Sequence, residues 1–137
     1  MNWLTYALLG MFFIALMSLI FKKLTLENLQ AEIILLFLFG FAFLFYLTQV
    51  IITKTPIKVN TFLVILLILA ALFSYIGNLF QVKSIGLAPN PAFSVAIISL
   101  QTILVAVGSY FIYNSKLSLL NALGLFLGIT AIILLSI

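Results

Sequence analysis

The sequence has no cysteine, no histidine and no aspartate, and only two of its 137 residues are acidic. Without cysteine there is neither a disulfide framework nor a thiolate metal site, and without histidine the commonest metal ligand and proton shuttle is missing. Charged residues make up 6% of the chain, against about 25% in a soluble domain. Hydrophobic residues make up 66%, more than the interior of a soluble fold of this length can hide. No room is left for a separate soluble catalytic domain. An enzyme embedded in the membrane would lack a base, nucleophile or metal ligand, so the chain is read as a non-enzyme with no metal and no cofactor. Six lysines against two glutamates give a net charge of +4. The lysines stand singly or as one pair, which excludes a patch that could track nucleic-acid phosphates.

What the sequence does have is a series of long apolar runs. A helix crossing a bilayer needs roughly 20 mostly apolar residues, and five segments qualify, at about 3–21, 31–53, 61–82, 92–113 and 119–137. The expected fold class is an all-α membrane protein of about five transmembrane helices with short loops. These would form a single transmembrane domain over 1–137, multi-pass in a prokaryotic plasma membrane. Met1 and Asn2 lead straight into apolar sequence that Lys22 and Lys23 close, the pattern of a retained first span rather than a cleaved signal. The connections hold lysines or breakers: Pro56 in the second, and Gly86, Pro89 and Pro91 in the third. Pro91 suits the first position of the fourth helix, where a missing N–H costs little.

Loop lysines normally fix orientation, because cytoplasmic loops carry the excess. Alternating sides place Lys22, Lys23 and Lys83 on one face and Lys54, Lys58 and Lys116 on the other, so the signal cancels. Either the first helix alone decides, or copies insert both ways. An odd number of spans favours the second arrangement, since two five-span units joined end to end are inverted relative to each other, as in transporters with inverted repeats. A single unit reaches that architecture as an antiparallel homodimer.

No charged residue lies well inside a span. Glu32 is at the mouth of the second, and the intramembrane carboxylate or histidine that serves as a proton relay in many transporters is absent. The candidate site is therefore neutral. In the third span Ala70, Ala71, Ser74, Tyr75, Gly77, Asn78 and Gln81 share one helical face and bulky apolar residues the other. Small residues and amides also mediate ordinary helix packing, but the combination of Ser74, Tyr75, Asn78 and Gln81 exceeds what packing requires. The fourth span places Ser94, Gln101 and Gly108 on one face and small residues on another. The first carries a stripe of Trp3, Tyr6, Gly10, Phe13 and Met17, in which Trp3 also fits the aromatic belt. Gly124 and Gly128 in the fifth span allow close helix packing.

From Ser74 to Ile137 the sequence resembles the EamA-type domain of the drug/metabolite transporter superfamily. The resemblance rests on Gly86-Leu-Ala-Pro-Asn-Pro91, on Ala92-Phe-Ser-Val-Ala-Ile97, and on Asn121, Gly124 and Gly128 in the last span. The first half agrees in span layout and in Lys22 and Lys23, which also look like the small multidrug-resistance relatives. Usual members have two inverted five-helix halves, so this chain looks like one. The resemblance implies export or exchange of small molecules, a cavity built from the first, third and fourth spans, and a scaffold from the fourth and fifth. The sequence departs from the pattern where Ser115 replaces a common glutamate and Ile14 falls near the buried carboxylate of the small multidrug family. Proton antiport does not carry over. The expectation is a small-molecule transporter working by alternating access as an antiparallel dimer; the alternative is a non-transporting subunit that stabilises a partner membrane protein.

Overall fold

Helix starts and stops follow the capping and breaking residues. The computed structural model describes residues 2–116 and 118–136, and every regular element among them is an α-helix. Asn2 caps α1 (Trp3–Leu26) by accepting a hydrogen bond from the Thr5 N–H at 3.0 Å. The connection to α2 (Ala31–Thr53) turns through Asn28 at φ 62°, and α2 ends at Lys54 at φ 51°. Asn60 accepts from the Leu63 N–H at 2.9 Å as α3 (Thr61–Leu87) begins. Pro91 occupies the first turn of α4 (Pro91–Ile98), with Asn90 accepting from the Ala92 N–H at 2.9 Å. α5 (Gln101–Tyr113) stops at Asn114, φ 50°, and α6 (Leu119–Ser136) completes the order. Taking α4 and α5 as one segment, four are long and apolar enough to cross a membrane, and α6 adds a shorter apolar helix. Ile137, the last residue of the fifth expected span, lies outside the described residues.

The elements differ from expectation in two places. α1 and α3 run past positions 21 and 82, so Lys22, Lys23 and Lys83, expected in loops, are helical. Lysine is a good helix former, and no breaker intervenes before Asn28 or Pro89. Gly86, expected as a breaker, is helical too, and no glycine has positive φ among the described residues. The fourth span, expected to be continuous, is interrupted at Ser99 and Leu100.

The chain forms two units, residues 1–86 and 87–137. In the first, burial is confined to one end, where the C-terminal ends of α1 and α3 meet the N-terminal end of α2. Ser18, Phe21, Ala31, Ile34, Leu35, Val82 and Ile85 are buried there, Val82 and Ile85 completely. The Lys22 Nζ donates to the Gly86 carbonyl at 3.0 Å, so it satisfies one of the carbonyls that a helix leaves unpaired in its last turn. Lys83 pairs with Glu32 at 2.7 Å, linking α3 to α2. A Cβ on Gly86 would lie 3.2 Å from the Thr25 Cγ2, so the missing side chain is what lets α1 and α3 approach. Away from the Gly86 contact the packing is looser: Gly10, Gly40 and Gly77 have nothing within 4 Å of an added Cβ.

Replacing Gly86 by valine should lower thermal stability in detergent by about 1–3 kcal/mol through overpacking against Thr25. Gly77→Ala, in open space on the same helix, should leave it unchanged or raise it by about 0.5–1 kcal/mol. Equal melting temperatures for the two variants would show that the α1–α3 contact does not hold this unit together.

Candidate functional site

The expected site residues fall into three groups. On α3, Asn78, Val82 and Ile85 follow one another at i, i+4 and i+7, so Asn78 continues the row whose far end is fully buried. Asn78 and Gln81 are half-buried and stand next to the closed end, while Ser74, Tyr75 and Gly77 are exposed. The Asn78 amide donates to the Ser74 carbonyl at 2.8 Å and to its Oγ at 3.1 Å. Its side-chain carbonyl oxygen can still accept, and the Ser74 hydroxyl can still donate.

On α1, Gly10 is half-buried, and Trp3 and Tyr6 are 79% and 63% exposed. Phe13 turns elsewhere. With Met17, Ile20, Leu24, Ile33, Phe37 and others it lines a groove of about 550 Å³ between α1 and α2, whose walls are apolar throughout. The first-span stripe is therefore divided, because at 100° per residue Phe13 lies farther than Gly10 from the face that Ser18 and Lys22 present to α3.

In the second unit Ser94 is buried and Gln101 is exposed. Gln101 stands directly after the break in the fourth span. There the N–H groups of Leu100, Thr102 and Ile103 bond three residues back, to the carbonyls of Ile97, Ser99 and Leu100 at 3.0, 3.1 and 3.0 Å. The Ser99 hydroxyl donates to the Val95 carbonyl at 2.8 Å and the Thr102 hydroxyl to the Ser99 carbonyl at 2.9 Å. Hydroxyls that compete for backbone carbonyls in this way tighten and bend helices. Sequence reasoning passed over this interruption. The available signal was the run Ser99-Leu-Gln-Thr102, three polar residues in an otherwise apolar span.

Gly124 and Gly128 line a second groove, of about 570 Å³, with Ser99, Thr102, Ala106 and Asn121. Nothing lies within 4 Å of a Cβ built on either glycine. The close approach they permit is not taken up within the described residues of this chain.

The expected site residues are all neutral. In the first unit Asn78, Gln81, Ser74 and Tyr75 carry hydrogen-bonding groups, and Trp3, Tyr6 and Tyr75 carry ring faces of the kind that attract cations; in the second unit Gln101 carries an amide. Among the described residues no group of histidine, cysteine, aspartate or glutamate is gathered in a way that could hold a metal ion. The five charged groups of the closed end, Lys22, Lys23, Glu27, Glu32 and Lys83, are engaged with one another or with the Gly86 carbonyl. Lys22 links α1 to α3 and the Lys83–Glu32 pair links α3 to α2, whereas the Lys23–Glu27 pair stays within α1 and its cap.

The apolar helices and short connections together describe a multi-pass membrane protein. The model of the EamA-like transporter family matches residues 1–137, the whole chain. No curated protein and no solved structure matches it. By this match over its full length, the chain belongs to the EamA-like transporter family.

Proposed function

We propose that the chain is a half-size drug/metabolite transporter, working by alternating access as an antiparallel homodimer in a prokaryotic plasma membrane. Its solute would be a small uncharged or amphipathic molecule, or a cation held over aromatic faces. The observation that carries this reading is the position of Asn78 and Gln81, next to the end of the first unit where the helices are pinned together, while the residues toward the other end are exposed. A site of this kind is accessible from one side. In an antiparallel pair the two pinned ends lie on opposite faces of the membrane, so each copy supplies one gate. The balanced lysines support insertion in both orientations.

In this reading Ser74, Tyr75, Asn78 and Gln81 of α3 bind solute within the first unit with Trp3, Tyr6 and Gly10 of α1, and Ser94 and Gln101 of the fourth span do so within the second unit. Gly124 and Gly128 seat α6 against the second copy. One observation favours the alternative of a non-transporting subunit: Asn78 already has partners in its own helix.

Asn78→Leu and Gln101→Leu separate the two readings. If the amides bind solute, each change should weaken binding by roughly 1–3 kcal/mol and leave the melting temperature and dimer yield nearly unchanged. Loss of stability with unaltered affinity in the surviving protein would favour the subunit. The chain has no cysteine of its own, so Ile57→Cys reports orientation directly. Labelling of intact cells should find it on both sides of the membrane, and labelling from one side alone would overturn dual insertion. Because the spans hold no group expected to titrate between about pH 5 and 8, uptake into liposomes should continue without a proton gradient; its abolition would require a relay through Glu32.

A further inference from the structure

The groove between α1 and α2 has a different character from the amide face of α3. Its walls run from Phe13 to Leu24 on α1 and from Ile33 to Phe41 on α2, closed by Leu29 of the connection, with no polar residue among them. Eleven residue steps along α1, at about 1.5 Å each, make a length of about 16 Å. One leaflet of a hydrocarbon core about 30 Å thick is nearly the same depth. We propose that this groove holds an acyl chain of an anionic phospholipid, whose phosphate is taken by Lys23.

Three observations select that occupant. Interfaces between membrane helices are enriched in small residues that permit close approach, and the groove offers phenylalanine, leucine, isoleucine and methionine instead. A solute held for transport needs some polar group to orient it, and none is present. Charge at the mouth complements a phosphate. Leu16, Ile20 and Lys23 follow at i, i+4 and i+7, so Lys23 ends the groove's own row at the edge where a headgroup would lie. Its side chain is 72% exposed and pairs with Glu27, itself 64% exposed. Such an exposed pair contributes little, so the ammonium can exchange a carboxylate for a phosphate. Lys83 remains on Glu32 and Lys22 on the Gly86 carbonyl. This inference does not rest on the transport reading.

The test is native mass spectrometry of the full chain extracted from vesicles of equal phosphatidylglycerol and phosphatidylcholine with matched chains. One lipid per chain should be retained, with phosphatidylglycerol favoured about fivefold. Lys23→Gln should bring the preference close to unity while phosphatidylcholine is still retained. Glu27→Gln should raise it, a direction that general damage to the fold would not produce. Ile33→Trp, or the milder Ile20→Phe, should fill the groove and reduce retention of both lipids. Equal retention of the two lipids by the unaltered chain, or an unchanged preference in Lys23→Gln, would overturn the headgroup assignment. Full retention by the groove-filling variants, or a changed oligomeric state in place of lipid loss, would overturn the groove as the lipid's seat.

Discussion

Within the first unit the close approach of α1 and α3 at Gly86 is the contact on which the other features depend. Thr25 packs where a side chain on Gly86 would otherwise stand, and Lys22 reaches across to the carbonyl of the same residue. Phe21, Val82 and Ile85 are buried at the same end, and α2 adds the buried Ile34 and Leu35 and the Glu32–Lys83 pair. In lipid the gain from such packing is van der Waals contact rather than escape from water. The contact can therefore be local and strong at one end while the rest of each helix faces lipid, a second copy or solute.

A bilayer makes unpaired polar groups expensive, and that constraint sorts the polar residues of this chain. Thr48, Ser99, Thr102 and Thr130 return their hydroxyls to backbone carbonyls three or four residues earlier in the chain. Asn78 does so with only half of its amide, which leaves an acceptor for something else. At Ser99 and Leu100 the same competition interrupts the helix itself. Membrane transporters commonly use discontinuous helices near their binding sites. In this family member the break stands directly before Gln101, one of the expected site residues of the fourth span.

Much of the fold was legible because lipid imposes simple rules. Runs of about 20 apolar residues and the breakers Pro56, Pro89 and Pro91 placed the five apolar segments to within about five residues, although not the break inside the fourth. Lys54, Lys58 and Lys116 lie in connections as expected, but Lys22, Lys23 and Lys83 were misread as loop residues, although lysine's long stem lets it stay helical and carry its charge outward. That reading concealed the linkage of Lys22 and Lys83 to Gly86 and Glu32, since pairing between distant segments leaves no local pattern. Gly86 was taken for a breaker when its use is close approach. The faces of α3 were visible as periodicity. Which neighbour each face meets was not, and so the division of the first-span stripe between Gly10 and Phe13 emerged only in three dimensions.

The account's central claim is that the first unit is pinned at one end and open at the other. Pulsed electron paramagnetic resonance on two cysteine pairs tests it, one at Leu26 and Phe80 near the pinned end, the other at Leu4 and Phe62 near the open end. All four positions are exposed on the helices they label. A narrow distance distribution for the first pair and a broad or multiple one for the second is the predicted result. Equal widths, or a broad distribution at Leu26 and Phe80, would contradict it.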